Sequence, residues 1–438
     1  MAEEAWRIEP AATPLRGAYE PPGDRQMTHL ALVLGALAVG TTHIQGALES
    51  PDTVSTRRIL AQLGVSFTMT DDGWLALHKQ GDGLSRPAAD LDAGRSFSAL
   101  CLFTGLLAGQ KFSCVLTGDE ELRGRAIGPL AGALTKMGAQ IELLGTPAAP
   151  LRIKGQPLRP VEVEIDPAWP EVRDSLITAA LSAVGVCRFT EVAPGPDHAE
   201  RLLRHLGVSV RRQGLQITLK GEQRIYARRV KIPGDFTAAA PLIAAATLLR
   251  GSELAVTQVG TNPGRTGLLK TLARIGGEVE WQRTWQFGAE PVASFTVRHA
   301  ARLSAFNVAP NLTLGALDEL PLLALLATQA EGTSHLRSAA ALQREVPDVM
   351  QLATQILRAF GGDVELDSDG WRVRGPCKLM GAEVQCAGDV RLVMLAAAAA
   401  LVAEGPSVLH GADSVLDYYP QFFADLAQVQ GGEPPAGA

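Results

Sequence analysis

The sequence predicts an α/β protein made of six copies of one supersecondary unit, arranged as two lobes of three. A polar turn followed by an Ala/Leu-rich helix, a glycine and a short strand occurs six times. An amphipathic helix that ends on a glycine before a strand follows each copy, and these glycines recur roughly every 70 residues. They are Gly64, Gly138, Gly207, Gly276, Gly361 and Gly431.

The first copy runs from Pro22 to Gly46 and shows how each repeat is built. A Pro-Gly-Asp turn opens it, and its aspartate, Asp24, can cap the exposed amides of a following helix. The apolar run predicts a helix over Met27–Val39, and a strand over Thr41–Ile44 follows a glycine.

The five later copies have the same order of elements. Their helices over 237–249 and 392–403 are apolar nearly all round, which predicts burial, whereas the amphipathic helices should cover sheets. Helix N-termini attract anions, so six such termini that face one cleft would make it favourable for an anionic substrate. The five copies begin near Asp92, Pro170, Pro233, Leu317 and Ala387.

Two identical Pro-Gly-Asp turns predict the division into lobes. The turn that ends at Asp24 recurs as the turn that ends at Asp235, after three repeats. We expect both turns to cap helices and to form the hinges, near Gly23 and Gly234. One lobe then holds residues 1–22 plus 235–438, including a strand over Ala5–Ile8, and the other holds residues 23–234, with the active-site cleft between them.

Three other polar sites are predicted to be structural. Asp197 and Glu200 have the spacing of a capping box at a helix start. His29 and His198 are predicted to pack or to form local hydrogen bonds.

Composition excludes several classes of protein. The chain has 438 residues, 46% of them apolar and 20% charged, with a formal net charge of −6. An acidic chain without basic runs argues against a nucleic-acid partner. The five cysteines form no CxxC pair, which favours reduced thiols, and no clustered His/Cys set predicts a metal site.

Targeting and cofactor motifs are not found either. The acidic first residues do not resemble a signal peptide, and the longest apolar run, 392–403, is too short to span a bilayer. There is no phosphate-binding glycine loop, no HExxH and no GxSxG. We therefore expect a cytoplasmic monomer that binds no membrane.

Several segments together carry a resemblance to a known family. They include PGDRQMTHLAL, LDAGRSFSALCLFTGLLAG, IPGDFTAAAPLIAAA, NPGRTGLLKTLARIGG, LDELPLLALLATQAEGT and GDVRLVMLAAAAAL. In this order and spacing, the chain from Arg16 to about Val429 resembles the enolpyruvyl transferases, and among them the EPSP synthases (3-phosphoshikimate 1-carboxyvinyltransferases).

The resemblance implies a two-lobed inside-out α/β barrel in which each lobe has three βαβαββ units. Enzymes of this family move the enolpyruvyl group of phosphoenolpyruvate to a ring hydroxyl and release phosphate, without a metal or organic cofactor. The implied partner is a small anionic or polyhydroxylated substrate, together with phosphoenolpyruvate. Cations hold phosphoenolpyruvate, a base takes the hydroxyl proton and an acid protonates the methylene carbon.

Four residues match the family's reactive positions. Asp318 and Glu319 match its D-E-x-P segment, whose aspartate is the expected base, so both are candidate catalytic residues. Arg125 and Arg391 match two arginines and are candidate anion ligands.

The fifth repeat departs from the family pattern, and its alignment stays open. Where the family has a lysine and a glutamate, this chain reads AALQREVPDV. Without gaps, the lysine aligns with Glu345. With a shift of one residue, Arg344 and Glu345 replace the pair. Arg344 is therefore a candidate ligand and Glu345 a candidate catalytic residue.

The positions that bind the acceptor in the family have changed most. Arg25 replaces a lysine, Gln26 a serine and Leu30 the arginine that holds the shikimate carboxylate. Arg95 replaces an asparagine, and Ser96 keeps a hydroxyl. Arg25, Gln26, Arg95 and Ser96 are predicted to bind substrate, and Arg25, Arg95 and Arg173 are predicted to form a rebuilt anion pocket.

The phosphate-binding positions have changed too. The family's Ser-Ser-Gln triplet aligns with Val172, Arg173 and Asp174, and another phosphate-binding serine aligns with Gly195. Arg173 and Asp174 are candidate ligands of a different substrate. Losing several charge-assisted bonds of about 1.5–3 kcal/mol each would remove useful affinity for shikimate 3-phosphate.

Three hypotheses follow. The first is an enolpyruvyl transferase with another hydroxyl acceptor, in specialised metabolism. The second is a lyase that eliminates water or phosphate from a shikimate-like or cyclitol ring without phosphoenolpyruvate, because two family cations align with Val349 and Asp417. The third is a non-catalytic relative that binds a ligand without turnover.

Overall fold

The chain forms two compact domains. The computed structural model describes residues 5–79, 81, 83–145, 148–165, 170–308, 315–337, 348–368 and 370–431. The middle domain comprises Gly23–Ile232 and Gln286–Glu290, and the terminal domain comprises Met1–Pro22, Pro233–Trp285 and Pro291–Ala438. The hinges and the cleft that the sequence suggested stay predictions.

The middle domain contains repeats one to three. Repeat one has α1 (Arg25–Leu37), α2 (Pro51–Gln62), β3 (Thr42–Gln45), β4 (Val65–Met69), β5 (Leu75–Lys79) and β14 (Arg229–Lys231). Repeat two has α3 (Phe97–Ala108), α4 (Glu120–Gly124), α5 (Gly128–Lys136), β6 (Leu91–Asp92), β7 (Ser113–Thr117), β8 (Gln140–Leu143) and β9 (Leu151–Lys154). Repeat three has α6 (Pro170–Ala180), α7 (His198–His205), β10 (Glu162–Ile165), β11 (Val186–Glu191), β12 (Val210–Gln213) and β13 (Gln216–Lys220).

The terminal domain contains repeats four to six. Repeat four has α8 (Phe236–Leu248), α9 (Gly267–Ile275), β2 (Arg16–Tyr19), β15 (Glu253–Gly260), β16 (Glu278–Phe287) and β17 (Glu290–Arg298). Repeat five has α10 (Leu320–Gln329), α11 (Val349–Ala359), β18 (Asn307–Val308), β19 (Gly332–Arg337), β20 (Asp363–Leu366) and β21 (Gly370–Gly375). Repeat six has α12 (Val390–Val402), α13 (Ser414–Tyr418), α14 (Phe422–Gln430), β1 (Ala5–Ile8), β22 (Glu383–Gln385) and β23 (Ser407–His410).

Five of the six sheets formed by the described strands have four strands in the same order, and the sixth has three strands. In repeat two, β6 runs parallel to β7, and β9 lies antiparallel between β7 and β8. Repeats one and four take their first strands, β14 and β2, from distant parts of the chain. In repeat six, β1 pairs antiparallel with β23 where the other repeats place a hairpin strand. The predicted sixfold repeat is confirmed.

The apolar helices form the cores of the domains. Every residue of α3 is buried, as are the first twelve residues of α8 and the central part of α12. Helices of Ala and Leu on all faces lose little side-chain entropy on burial and expose no polar group to the core. The amphipathic helices, such as α7 and α9, keep exposed faces.

Two glycines permit close backbone approaches, one in the turn before α1 and one within α3. A Cβ at Gly23 would lie 1.9 Å from the carbonyl oxygen of Gly46, so the turn before α1 accepts only glycine. A Cβ at Gly105 would lie 2.2 Å from the carbonyl oxygen of Ser175, which brings α3 and α6 together. The hydroxyl of Ser175 donates to the carbonyl of Cys101 at 2.6 Å in the same crossing.

Two capping predictions are confirmed and one is wrong. The Asp24 carboxylate accepts from the Met27 amide, and the Asp235 carboxylate accepts from the Thr237 amide. The first helix begins two residues before the predicted start because this cap fixes its first turn. The box predicted from Asp197 and Glu200 does not form, since Asp197 makes no side-chain cap bond and Glu200 accepts from arginines.

Candidate active site

In the terminal domain, the starts of three buried helices carry acidic residues. The N-cap residues of α8, α10 and α12 are Asp235, Glu319 and Asp389. The carboxylates of Asp235 and Asp389 accept hydrogen bonds from backbone amides of the helices they cap. Because these N-termini carry partial positive charge, acidic side chains are favourable here.

A chain of alternating charges links these helix starts. Arg265 Nη1 lies 3.4 Å from Asp318 Oδ2, and Arg391 Nη1 lies 3.8 Å from Asp318 Oδ1. Arg391 also donates to both oxygens of Asp389, at 3.1 and 2.8 Å. At the other end, Arg265 Nη2 lies 4.0 Å from Asp235 Oδ1. The structure therefore brings the predicted residues Asp318 and Arg391 together.

Asp318 is accessible, whereas its neighbour Glu319 is not. The Asp318 side chain is 33% exposed, while Glu319 is 1% exposed. The Thr237 hydroxyl donates to Glu319 Oε1 at 2.6 Å and accepts from Arg265 Nη2 at 2.7 Å. A group that takes a proton from a substrate must reach it, so the geometry favours Asp318 over Glu319 as the base.

Burial changes the protonation of Glu319. Removal from water raises its pKa to about 8, with Arg265 opposing the shift and Asp318 and Asp235 adding to it. Glu319 therefore keeps its proton at neutral pH. Burial alone would also raise the pKa of Asp389, but its ion pair with Arg391 lowers that pKa below the ordinary value.

A tyrosine completes this cluster. The Tyr418 hydroxyl, at the end of α13, donates to Asp235 Oδ2 at 2.8 Å. The candidate residues Arg344 and Glu345 lie outside the described residues. Their roles stay predictions.

In the middle domain, Arg25 lies among acidic and hydroxyl groups at the start of α1. Its Nη1 donates to Asp52 Oδ2 at 3.0 Å and to the Ser98 hydroxyl at 3.1 Å. His29 Nε2 lies 3.3 Å from the same Asp52 oxygen, and its Nδ1 lies 2.7 Å from the Thr56 hydroxyl. The prediction of local bonds for His29 is confirmed.

Asp52 stays ionised in this cluster. Burial would raise its pKa, but His29, Arg25 and a hydrogen bond from Ser96 together hold it well below the ordinary value. The charge of Arg25 is thus balanced within the protein, although its side chain remains 30% exposed.

Arg173 is the centre of a buried ion-pair network. Its side chain is 4% exposed and donates to Glu191 at 2.7 Å, to Asp174 at 3.0 Å and to Glu200. Arg212 also donates to Glu191, and to Glu200 at 2.9 Å. Five charged side chains therefore bond to one another inside the middle domain.

Asp174 belongs to the same network. Its Oδ2 accepts from Gln26 Nε2 at 2.6 Å. Burial raises the pKa of Asp174, while Arg173 and the bond from Gln26 act in the opposite direction. The structure therefore brings together three predicted site residues, Gln26, Arg173 and Asp174, but as partners of each other.

The remaining predicted residues of the middle domain lie at the start of α3 and after α4. The guanidinium carbon of Arg125 lies 3.6 Å from the centroid of the Phe97 ring. Stacking uses the face of a guanidinium and not its N–H edge, which keeps the geometry for binding an anion. Arg95 is 57% exposed and pairs with Glu121 at 2.8 Å, and Ser96 caps α3.

Sequence reasoning missed several of the interacting residues. Arg265 lies in the quoted segment NPGRTG, where an arginine between a strand and an amphipathic helix could have pointed to the adjacent helix starts. Thr237 gives no signal, because threonine is common after a helix cap. Glu191 and Glu200 come from a strand and a helix whose contact with α6 depends on tertiary packing.

Two searches of the described part of the chain found nothing. No group of three His, Cys, Asp or Glu side chains in this part could hold a metal ion. Within the same residues, no helix is long and apolar enough to cross a membrane. The five cysteines are free thiols, and Cys377 alone among them is partly exposed.

Known sequences match nearly the whole chain. The model of the family described as EPSP synthase (3-phosphoshikimate 1-carboxyvinyltransferase) matches residues 10–426. The 3-phosphoshikimate 1-carboxyvinyltransferase of Pelotomaculum thermopropionicum is 38% identical over 417 residues, 95% of this chain and 96% of that protein. The protein of the same name from Halorhodospira halophila is 38% identical over 431 residues, 98% of this chain and 97% of its own.

Solved structures agree. An EPSP synthase from Acinetobacter baumannii superposes with a TM-score of 0.89 at 31% identity, covering 99% of this chain and 100% of that one. The enolpyruvyl transferase NikO from Streptomyces tendae has a TM-score of 0.79 at 18% identity over the whole of both chains, a likeness of fold alone.

These matches confirm two predictions. The fold class is the two-lobed inside-out α/β barrel, and the enzyme class is a transferase. The chain belongs to the EPSP synthase family of enolpyruvyl transferases.

Proposed function

We propose that this protein transfers the enolpyruvyl group of phosphoenolpyruvate to a hydroxyl of a small polar acceptor other than shikimate 3-phosphate. The observation that carries the proposal is the contrast between Asp318 and Arg173. Asp318 is exposed between two arginines, as a base needs, whereas the guanidinium of Arg173 is buried and bonded to three carboxylates.

The terminal domain supports the transferase chemistry. Asp318 accepts the proton of the acceptor hydroxyl, whose oxygen then bonds to the central carbon of phosphoenolpyruvate. An acid protonates the methylene carbon, and the release of phosphate with loss of that proton restores the vinyl group. Arg391 supplies a fixed positive charge 3.8 Å from Asp318, where an anionic donor gains from it. Glu345 stays a candidate catalytic residue.

The middle domain supports the change of acceptor. Where the family pattern implies ligands for a phosphate, this chain has Val172, which is 8% exposed and offers no donor, and the carboxylate Asp174. Leu30, at the position of the arginine for the shikimate carboxylate, is 1% exposed and packs in the core. A phosphate dianion beside Asp174, Glu191 and Glu200 would be repelled unless other cations outweighed them.

We infer from these groups which acceptors to test. Gln26 and Arg25 donate, and Asp52 and Asp174 accept, so the groups suit hydroxyls better than a second phosphate. The acceptor is then a polyhydroxylated ring without a phosphate at the position corresponding to the family substrate.

The test is a proton and phosphorus NMR time course. Purified protein is mixed with phosphoenolpyruvate and, in separate tubes, with shikimate, quinate, a cyclitol or no acceptor, and Asp318→Asn is run beside the wild type. We expect new vinyl ether proton signals and an equal amount of free phosphate in at least one tube. With Asp318→Asn we expect neither product. Ring dehydration without phosphoenolpyruvate would instead establish the lyase hypothesis. Ligand binding with no turnover in any tube would favour the non-catalytic one.

A further inference from the structure

Arg265 is placed to control the neighbouring carboxyl groups at the start of α10. It lies in the turn before α9, where its backbone amide donates to the Asn262 carbonyl at 2.8 Å. The Asn262 side chain accepts from the Gly264 amide at 3.0 Å, which fixes the same turn. The Arg265 side chain is 19% exposed, so it is held inside the terminal domain.

The guanidinium of Arg265 contacts two helix starts at once. Its Nη2 donates to the Thr237 hydroxyl at 2.7 Å, and its Nη1 lies 3.4 Å from Asp318 Oδ2. The Thr237 hydroxyl in turn donates a hydrogen bond to Glu319 Oε1 at 2.6 Å. An unbroken line of contacts therefore runs from Glu319 through Thr237 and Arg265 to Asp318.

We propose that Arg265 is a positioning residue for the transfer reaction: anchored on the Thr237 hydroxyl, it holds the Asp318 carboxylate in place. This inference rests on the proposed function, since Asp318 is the base only if the protein takes a proton from an acceptor. Ionised Glu319 would attract Arg265 through Thr237 and weaken its hold on Asp318.

Arginine is the side chain that suits this role. Its planar fork can direct one nitrogen to a hydroxyl and another to a carboxylate, whereas a lysine offers a single nitrogen. Arg391, the other cation beside Asp318, directs two of its nitrogens to Asp389 and lies farther from Asp318, at 3.8 Å. Arg265 therefore makes the closer contact with the base.

Several charged groups face this line of contacts. Asp318 faces Arg265 and Arg391, and Glu319 faces Arg265, Asp318 and Asp235. Asp235 in turn accepts from Tyr418. Of these carboxyl groups, Glu319 has a pKa raised to about 8, so its ionisation falls within an accessible pH range.

The experiment compares Arg265→Gln, Arg265→Lys and Glu319→Gln with the wild type. The control is Arg302→Gln, which removes an arginine that is 72% exposed in the same domain. With the acceptor identified by NMR, Arg265→Gln should lower kcat by about ten- to a hundredfold, with KM for phosphoenolpyruvate unchanged, because a displaced base costs rate and not binding. Arg265→Lys should recover part of kcat, and Arg302→Gln should lose none.

The pH profile separates positioning from a merely structural role. The wild type should lose kcat above about pH 8, and Glu319→Gln should abolish this loss, since a neutral amide cannot ionise. Unchanged kcat in Arg265→Gln, or an alkaline limb that persists in Glu319→Gln, would overturn the proposal.

A second measurement does not need turnover. In protein labelled with ¹³C at glutamate carboxyl groups, the Glu319 signal is assigned by its loss in Glu319→Gln. Its pKa should rise above the wild-type value in Arg265→Gln, because a nearby cation is lost, and should be unchanged in Arg302→Gln. An unchanged titration in Arg265→Gln would overturn the coupling even if the proposed function failed.

Discussion

The two domains use charged residues at the starts of their buried helices in different ways. In the terminal domain, Arg265 and Arg391 alternate with acidic groups, and Asp318 between them remains 33% exposed. In the middle domain, Arg173 is 4% exposed and all three of its nitrogens donate to carboxylates. The repeated architecture is the same, but one cluster presents a partly exposed carboxylate and the other is internal.

Because the two clusters differ in burial, we expect one to affect stability and the other to affect activity. A buried ion pair that loses one partner leaves an uncompensated charge, so the middle-domain network should matter for stability. A partly exposed carboxylate is screened by water and contributes little to stability, so Asp318 should matter for chemistry. Four substitutions test this contrast.

The largest loss of stability is expected from Arg173→Met. It leaves Asp174, Glu191 and Glu200 without their shared cation, which should lower the free energy of unfolding by about 3–5 kcal/mol. Urea unfolding measures this change. The matched control, Arg95→Met, removes an arginine that is 57% exposed and should cost no more than about 1 kcal/mol. Equal effects of the two substitutions would contradict the assignment of Arg173 as a buried centre.

Asp318→Asn should lower activity and leave stability nearly unchanged, in contrast to Arg173→Met. Turnover should fall by about 10²- to 10⁴-fold, because the amide cannot accept the hydroxyl proton. The urea midpoint should stay close to that of the wild type. Phosphate release and urea unfolding on the same preparation check both outcomes. A stability loss as large as that of Arg173→Met would remove the distinction between the clusters.

Glu319→Gln should change how stability depends on pH. The folded-state pKa of Glu319, about 8, lies above its ordinary value of 4.5, so the unfolded chain releases this proton at lower pH than the folded chain. The wild type therefore loses free energy of unfolding as pH rises from about 4.5 to about 8. The variant lacks this loss, so its free energy of unfolding relative to that of the wild type should increase across that pH range and then stay constant. Urea unfolding at a series of pH values tests this, and a constant difference would contradict it.

Asp52→Asn should have the smallest effect of the four. Its pKa is held well below the ordinary value by His29 and Arg25, so its ion pairs stabilise the fold at neutral pH and lose that effect as pH falls. We expect the free energy of unfolding to fall by about 1–3 kcal/mol at pH 7, and this difference from the wild type should become smaller below about pH 4. Thermal unfolding at pH 7 and pH 3.5 measures both. A loss that grows as the pH falls would reverse the predicted sign.

The sequence predicted the parts of the molecule that depend on local pattern. The nearly continuous apolar sequences of α8 and α12 predicted burial, and the Pro-Gly-Asp turns predicted the caps made by Asp24 and Asp235. The predicted pairing of Asp197 with Glu200 was wrong, because Glu200 is drawn to Arg173 and Arg212. A buried cation needs carboxylate partners, and this need outweighs a local capping motif.

The sites were harder to predict because their partners are distant in sequence. Arg173 bonds to residues 18 and 27 positions away, on β11 and α7, and Gln26 reaches Asp174 across 148 positions. Residue type identified these side chains as polar and close to helix starts. It did not distinguish a ligand from an internal ion pair, which only packing decides.

The most direct test of the proposed acceptor is an initial-rate measurement with shikimate 3-phosphate and phosphoenolpyruvate, run beside an EPSP synthase as the positive control. Free phosphate is measured by colour assay, and the vinyl ether product by proton NMR. We expect no rate above the acceptor-free blank, because Val172, Asp174 and Leu30 offer no cation to the acceptor's phosphate or carboxylate. Phosphate release matched one for one by vinyl ether product would show that the protein is an EPSP synthase with a rebuilt acceptor pocket. It would contradict the proposal that the acceptor is not shikimate 3-phosphate.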